Sequence, residues 1–202
     1  MNLQPKYMFD HSRLDILPME YRESKLEDVD TEEKKSIFIN AMDGESFYLY
    51  GSAGTGKSFI AFLVAKYMTG KYEDIPGAIK SHRGVVCVSY PGVMMQLENF
   101  TQKSDAFQLL DYAKRANFLL IDEFYPKGLN ESMFRATYDL INERINSRRQ
   151  TIITSNYSLN EVDSLINLNI SSRIIGMSKI IDLSGKDRRL GKQRSKAINK
   201  LN

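Results

Sequence analysis

A run of glycines that ends in a lysine and a serine interrupts an apolar stretch, YLYGSAGTGKSFIAF, at residues 48–62. The spacing G-x-x-x-x-G-K-[ST] is formed by Gly51, Gly56, Lys57 and Ser58. Glycines allow backbone conformations that turn main-chain N–H groups towards phosphate oxygens, and a following helix directs its positive end at them. Because a strand pattern precedes the loop and a helical pattern follows it, the segment predicts a nucleoside-triphosphate site rather than an incidental glycine-rich turn.

The residues of this loop have separate tasks in binding a triphosphate. We expect Lys57 to reach the β- and γ-phosphates of ATP and the Ser58 hydroxyl to ligate Mg²⁺. The loop residues predicted to contact the nucleotide are Gly51, Ser52, Ala53, Gly54, Thr55, Gly56, Lys57, Ser58 and Phe59. ATP and Mg²⁺ are therefore the expected ligands.

A pair of acidic residues ends a second apolar run, NFLLIDEFYP, at residues 117–126. Ligands of open α/β sheets bind at the carboxyl ends of the strands, where this run delivers Asp122 and Glu123. We expect Asp122 to hold Mg²⁺, directly or through water, and Glu123 to polarise the attacking water as the general base. An acidic pair after a strand is common, but one that follows a phosphate-binding loop favours ATP hydrolysis.

A third run, QTIITSNYS, places Asn156 at the tip of a strand. A polar side chain there can hydrogen-bond both the attacking water and the γ-phosphate, so that it distinguishes ATP from ADP. The alternative is that Asn156 caps a helix that begins near Ser158. We favour the sensing role because this strand is expected to lie next to the acidic one.

Strand-like runs alternate with helical segments from residue 47 onwards. The strand-like runs are SFYLY, GVVCVS, NFLLID, QTIITS and KIIDL. The helical segments are KSFIAFLVAKYM, PGVMMQLENF, SDAFQLLDYAKRA, ESMFRATYDLINERINS and SLNEVDSLINL. This alternation predicts an α/β fold, in which a parallel sheet is covered by helices on both faces.

Composition sets outer limits on function. The 202 residues are 42% hydrophobic, enough for one core, and the net charge of +3 does not by itself indicate nucleic-acid binding. The single cysteine, Cys87, lies in the run VVCVS and is predicted to be a buried strand residue rather than a nucleophile or ligand. The N-terminus lacks an apolar signal segment, and no stretch approaches the ~18 apolar residues of a membrane span. We therefore predict a cytoplasmic protein without membrane contact.

Several motifs, taken in order, resemble one protein family. The segments GSAGTGKS, FLLIDEF, LINERINSRRQ, TIITSNYSLNEV, SSRIIG and GKDRR look like those of the AAA+ domain in bacterial helicase loaders of the DnaC/DnaI type, with the transposition helper IstB as a close cousin. The resemblance implies a P-loop NTPase of the AAA+ type, with a five-stranded parallel sheet sandwiched between helices. It also implies an ATPase that assembles in a row on single-stranded DNA and helps to open or load a hexameric replicative helicase.

The same resemblance implies roles for two arginines. Arg173 in SSRIIG matches the arginine finger that reaches the γ-phosphate of a neighbouring subunit. Arg189 in GKDRR matches the sensor-2 arginine, a role that Arg188 could also take. A finger that acts in trans implies a homo-oligomer in the ATP-bound state.

The chain is predicted to divide into three regions. These are an N-terminal arm with a short helix that ends near Gly44 (residues 1–45), the AAA+ ATPase domain (46–190) and a basic tail (191–202). Cellular loaders carry an N-terminal helicase-binding domain, whereas about 45 residues precede the first strand here. We expect either that the first 40 residues are a minimal helicase-binding element, removable without loss of ATP binding, or that the ATPase domain recruits another partner.

Basic residues near two chain segments are candidates for contact with DNA. They are the tail GKDRRLGKQRSKAINKLN and the end of the helix NERINSRRQ, with Arg144, Arg148 and Arg149. A solvated, disordered terminus is the alternative for the tail. Tyr90 and Phe100 could stack on bases, but aromatic residues at helical spacing are more often part of the core.

Two other functions stay open from the sequence alone. An IstB-like transposition helper would share the motifs and differ mainly in its partner. A P-loop nucleoside or nucleotide kinase would need an arginine-rich lid and an acceptor pocket, where this chain has the Asp122–Glu123 pair and Asn156. The helicase-loader interpretation is favoured because its motifs recur in order.

Overall fold

A five-stranded parallel sheet forms the centre of the protein. The computed structural model describes residues 17–71, 84–99, 101–125, 127–166 and 168–185. The strands are β1 (Phe47–Tyr50), β2 (Val85–Ser89), β3 (Phe118–Phe124), β4 (Gln150–Ser155) and β5 (Lys179–Asp182). They pair in parallel in the order β2-β3-β4-β1-β5. The predicted parallel α/β architecture is therefore confirmed.

Helices connect the strands and cover the sheet. They are α1 (Met19–Arg22), α2 (Glu32–Met42), α3 (Lys57–Lys71), α4 (Tyr90–Glu98), α5 (Lys103–Arg115), α6 (Glu131–Asn146), α7 (Leu159–Ile166) and α8 (Leu168–Met177). A short 3₁₀ helix spans Leu26–Asp28. Within the described ranges, no helix combines the length and the apolar character needed to cross a bilayer.

Alternate strand residues bury opposite faces of the sheet. In β1, Tyr48 joins the core that α4 to α8 cover, whereas Phe47 and Leu49 join the core that α2 and α3 cover. Consecutive side chains of a strand point to opposite faces, so a strand with helices on both sides must be apolar throughout. The first four residues of β3, FLLI, are accordingly all buried.

Short polar signals set several helix ends. Thr31 accepts a hydrogen bond from the Lys34 N–H (3.3 Å) at the start of α2, and Asn130 accepts one from the Met133 N–H (3.0 Å) at the start of α6. Gly44, with a φ of 102°, ends α2. The sequence prediction that Gly44 stops this helix is confirmed.

The described part of the N-terminal region belongs to the main core. Leu17, Val29 and Phe38 are buried together with residues of α3 and β1. The division of the chain at residue 45 stays a prediction, but residues 17–42 are packed onto the α/β fold and do not form a detached arm.

The region after β4 differs from its sequence prediction. The helix predicted from the pattern SLNEVDSLINL is confirmed as α7, but no helix was predicted for the residues that follow, where the chain forms α8 with SSRIIG inside it. Ile170 and Ile174, four residues apart, bury one face of α8. That spacing was readable in the sequence.

Candidate functional site

The phosphate-binding loop joins β1 to α3 in a conformation that only glycine adopts freely. Gly51, Gly54 and Gly56 have φ angles of 137°, 78° and 94°. Gly51 also has no room for a side chain, because a Cβ atom there would lie 2.8 Å from the main-chain nitrogen of Ser184. The loop therefore starts against the residues that follow β5 and opens onto the N-terminus of α3.

The lysine of the loop is buried and held by main-chain oxygens. Lys57 Nζ donates to the carbonyl oxygens of Gly51 (2.8 Å) and Ser52 (2.7 Å), and the residue is 6% exposed. The Thr55 hydroxyl donates to the same Ser52 oxygen (3.1 Å). These bonds place a positive charge inside the loop, where the phosphates of a nucleotide would need one.

The acidic pair sits in a bulge at the end of β3. Ile121 is paired with Ile153 and Phe124 with Ser155, so β3 has one residue more than β4 between these pairs. Glu123 adopts a φ of 58°, which is uncommon for a residue other than glycine. Its side chain is exposed and lines the same cleft as the phosphate-binding loop.

Two hydroxyls at the tip of β4 hold this bulge. Thr154 Oγ1 donates to Asp122 Oδ1 (2.6 Å) and accepts the Glu123 N–H (3.0 Å). Ser155 Oγ donates to the Phe124 carbonyl oxygen (2.8 Å). The pattern QTIITS contains these residues, but the sequence could not assign them a role because the bulge that they bridge is not visible in it.

Asn156 follows β4 and lines the cleft, with an exposed side chain. It does not cap α7. Ser158 and Glu161 form that cap: the Glu161 carboxylate accepts from both the Ser158 N–H (2.7 Å) and its hydroxyl (2.7 Å). These bonds hold the pKa of Glu161 below its usual value. The capping alternative for Asn156 is wrong, and the sensing role stays a prediction.

The cleft has a volume of about 1080 Å³. Its predicted lining residues are Ala53, Gly54, Gly56, Lys57, Ser58, Phe59, Glu123 and Asn156. β4 lies between β1 and β3, so the ends of all three strands meet at this edge of the sheet. Gly51, Ser52 and Thr55 belong to the loop beneath the cleft, and Asp122 is joined to it through Thr154.

The opposite wall of the cleft comes from the N-terminal region, which the sequence did not predict. The residues on this wall are Glu20, Tyr21, Glu23, Ser24 and Asp28. Lys66 of α3 holds the segment in place by donating to the carbonyl oxygens of Arg22 (2.6 Å) and Ser24 (2.8 Å). The Tyr21 ring stacks on Phe62 at 4.8 Å. Removing the first 40 residues would therefore also remove a wall of the cleft, and the expectation that ATP binding survives this deletion has to be revised.

Arg173 does not line the cleft of its own chain. It lies on α8 and donates to Asn142 Oδ1 (2.5 Å) and to the Tyr138 hydroxyl (2.6 Å), both on α6. Its guanidinium also covers the Tyr138 ring at 4.7 Å from the centroid. Its predicted role as a finger stays a prediction. Arg188, Arg189 and the basic tail lie outside the described residues.

The basic helix end is only partly available to a ligand. Arg144 is 0% exposed, and its guanidinium donates to Thr151 Oγ1 (3.0 Å) and to the carbonyl oxygens of Gln150 (2.5 Å) and Ala116. Its inclusion among the candidate DNA contacts is therefore wrong, because this charge braces the amino-terminal ends of β3 and β4. Arg148 is exposed and Arg149 half-buried.

Two further residues singled out in the sequence, Tyr90 and Cys87, lie in or against the hydrophobic core. Tyr90 is buried, and its hydroxyl forms a hydrogen bond of 2.7 Å with that of Thr137, so the ring belongs to the core. Cys87 lies in β2 as predicted but is only partly buried. Desolvation, followed by the negative charge of Asp122, raises the pKa of its thiol to about 12. Phe100 lies outside the described residues.

The donor set fits Mg²⁺ with a nucleotide. Ser58 supplies a hydroxyl on the cleft wall, and the Asp122 carboxylate is oriented by Thr154. Magnesium bound with a nucleotide usually takes one or two protein oxygens and completes its shell with phosphates and water. Within the described ranges, no cluster of three or more His, Cys, Asp or Glu side chains forms a protein-only metal site. The residues thus fit a metal that arrives with the triphosphate.

Solved structures of replication proteins have the same fold. DnaI matches with a TM-score of 0.66 at 18% identity, over 82% of this chain and 94% of that one. The DnaC helicase loader matches with a TM-score of 0.56 at 21% identity, over 74% and 85%. The replication initiator DnaA, bound to AMPPCP and single-stranded DNA, matches with a TM-score of 0.66 at 16% identity, over 84% of this chain and 51% of that one.

These comparisons bear on the fold. No protein-family model and no curated protein sequence matches this chain. At the identities of the structural matches, the likeness establishes architecture: the chain shares its α/β fold with DnaI and with the DnaC helicase loader. The fold that the motifs predicted is confirmed.

Proposed function

We propose that this protein is an ATP-binding and ATP-hydrolysing helicase-loader-like protein that acts in DNA replication. The observation that carries the proposal is the convergence of Lys57, Glu123 and Asn156 on one cleft, at the carboxyl ends of neighbouring strands. These residues are a phosphate-binding cation, a general base and a polar group able to contact the γ-phosphate. Each belongs to a separate segment of the sequence, and the fold supplies their proximity.

In this proposal, Lys57 exchanges its hydrogen-bond acceptors within the loop for phosphate oxygens when the triphosphate binds. The Lys57 ammonium, which donates to the Gly51 and Ser52 carbonyl oxygens, would turn to the β- and γ-phosphates. Ser58 and Asp122 would hold Mg²⁺, which supplies charge neutralisation on the phosphates. The Glu123 carboxylate would accept a proton from the attacking water, and Asn156 would orient that water against the γ-phosphate.

The proposed macromolecular partners are a hexameric replicative helicase, single-stranded DNA and further copies of this chain. The support is the shared fold with DnaI, with the DnaC helicase loader and with DnaA bound to single-stranded DNA. An assembly that completes its active site between subunits would make ATP binding, DNA binding and helicase contact mutually dependent.

The nucleotide part of the proposal is tested by calorimetry with ATP and Mg²⁺ and by phosphate release. Lys57→Ala should abolish ATP binding, because the counter-charge to the phosphates is lost. Glu123→Gln should keep ATP binding and lose about 10²- to 10⁴-fold in turnover, because only the base is removed. Lys35→Ala, which removes a partly exposed lysine of α2, is the control. Equal ATP affinity in wild type and Lys57→Ala would refute the site.

The partner part of the proposal has its own experiment. We expect full-length protein to retain a hexameric replicative helicase in a pull-down, and ATP with Mg²⁺ to strengthen binding to single-stranded over double-stranded DNA. Protein that ignores helicase and DNA but moves phosphate from ATP to a nucleoside would be a kinase instead. Protein that binds DNA and a transposase, without helicase, would match the IstB-like alternative.

A further inference from the structure

The bulge in β3 leaves one main-chain N–H without a partner in the sheet, and the side chain of Thr154 accepts from it. Between the pairs Ile121–Ile153 and Phe124–Ser155, two residues of β3 face the single residue Thr154 of β4. A bulge leaves the extra residue without a ladder partner. Here the orphaned group is the N–H of Glu123, whose backbone has turned to a φ of 58°.

The Thr154 hydroxyl bonds both this N–H and a neighbouring carboxylate, and only one assignment of donor and acceptor allows both bonds. A hydroxyl has one proton to donate and lone pairs to accept with. It accepts the Glu123 N–H at 3.0 Å, and it donates its proton to Asp122 Oδ1 at 2.6 Å. Thr154 itself is 1% exposed, although it lines the cleft, and its two bonds are part-buried.

We propose that Thr154 is a positioning residue that sets the two acidic side chains together. Its acceptor bond fixes the backbone turn that points Glu123 into the cleft. Its donor bond engages one carboxylate oxygen of Asp122 and fixes the orientation in which the other oxygen can meet the metal or its water. The inference rests on the proposed function, because it assigns these tasks to Asp122 and Glu123. Thr154 itself touches neither water nor phosphate in this role.

The position also explains why a hydroxyl is needed there. A valine has the shape of threonine but can neither accept the Glu123 N–H nor donate to Asp122, so both partners would lose a part-buried hydrogen bond. A serine keeps both functions. The chain offers a matched control in the same strand: Thr151 is also fully buried, and its hydroxyl accepts from Arg144 Nε (3.0 Å) and donates to the Arg149 carbonyl (3.2 Å).

The test compares Thr154→Val, Thr154→Ser and Thr151→Val with wild type, in the full chain. Calorimetry measures ATP affinity without Mg²⁺ and across a Mg²⁺ titration, and phosphate release gives kcat and KM. We expect Thr154→Val to bind ATP without Mg²⁺ as wild type does. It should need roughly tenfold more Mg²⁺ for half of the metal-dependent gain in affinity, and kcat should fall about 10- to 100-fold. Thr154→Ser should recover most of both, and Thr151→Val should change neither.

The outcomes separate this inference from the proposed function. Wild type that binds Mg²⁺ and ATP but releases no phosphate refutes hydrolysis, while the Mg²⁺ titration still tests the Thr154–Asp122 bond. A Thr154→Val protein with the Mg²⁺ dependence of wild type overturns the inference, as does a serine variant no better than valine. If valine prevents folding, judged by circular dichroism, Thr154→Ala removes the same hydroxyl with a smaller side chain and is compared with Thr151→Ala in the same way.

Discussion

Lys57 and Arg144 both bury a positive charge against main-chain carbonyl oxygens, at opposite ends of the sheet. The partners of Lys57 belong to the loop that is proposed to receive phosphate, so the ammonium can exchange them for a ligand. The partners of Arg144 are carbonyl oxygens just before β3 and at the first residue of β4. In the proposed function, the same chemistry would serve nucleotide binding at one end of the strands and stability at the other.

Arg144→Met should destabilise the fold without weakening nucleotide binding. The change leaves the buried carbonyl oxygens of Ala116 and Gln150 without this donor, and we expect a loss of ~3–5 kcal/mol in the free energy of unfolding. Urea unfolding measures the stability, and calorimetry measures the ATP affinity of the folded fraction. Arg148→Met, at an exposed position four residues later, should stay within about 0.5 kcal/mol of wild type. Equal stability of the two variants would contradict the structural role of Arg144.

At the scale of elements, the cleft is lined on one side by the strand ends and on the other by the segment that precedes α2. The strand ends supply the groups expected to act on phosphate, and residues 20–28 supply the facing wall. That wall is anchored from α3 by Lys66, whose side chain is 8% exposed, and by the stack of Tyr21 on Phe62. Desolvation lowers the pKa of Lys66, but the carbonyl oxygens of Arg22 and Ser24 are well suited to its charged form.

Lys66→Met should loosen this wall and spare the chemistry. We expect KM for ATP to rise roughly three- to tenfold with kcat changed less than about twofold, because the lost bonds hold the wall and not the acidic pair. Steady-state phosphate release measures both constants. Lys35→Met, which disrupts an exposed ion pair with Glu32, serves as the control and should leave both constants unchanged. A fall in kcat at constant KM would show that Lys66 acts on the reaction step instead.

The sequence patterns predicted the strands and their motifs better than they predicted the contacts between distant side chains. The phosphate-binding loop and the Asp122–Glu123 pair were predictable because each motif is local and stands at a strand end. The buried role of Arg144 was not, since its position in RINSRRQ resembles that of its exposed neighbour Arg148. The roles of Thr154 and of the N-terminal wall were not predictable for a related reason. Their roles depend on a bulge in another strand and on packing against α3, and neither leaves a periodic trace in the sequence.

At the scale of the whole molecule, the position of Arg173 bears on assembly. Within one chain it is held on α6 by Tyr138 and Asn142, away from the cleft. A role in trans would require it to leave these partners for the phosphate of a neighbouring subunit. Assembly would then have to offset the loss of two hydrogen bonds and a cation–π contact, so isolated subunits should be nearly inactive.

ATP hydrolysis per subunit should therefore rise with protein concentration or with added single-stranded DNA. Arg173→Ala should lose hydrolysis and keep ATP binding, and mixing it with Lys57→Ala should restore measurable activity, because each chain supplies what the other lacks. Phosphate release across a concentration series checks both points, with co-assembly verified by light scattering. A co-assembled mixture as inactive as its components would rule out the finger. Arg135→Ala, on the exposed side of α6, controls for general loss of charge.

The order of the strands has a consequence for when, during synthesis, the molecule could first bind the proposed nucleotide. β1 pairs with β4 and β5, and Phe47 lies opposite Ile152 and Lys179, roughly a hundred residues or more later in the chain. A ribosome makes the phosphate-binding loop early, but the strands that support it emerge last. β2 and β3 can pair first, at a stage when the two strands that flank β1 have not yet been made. Nascent chains arrested before residue 150 should thus be unable to retain nucleotide, and those that expose residues through 185 should be the first to do so.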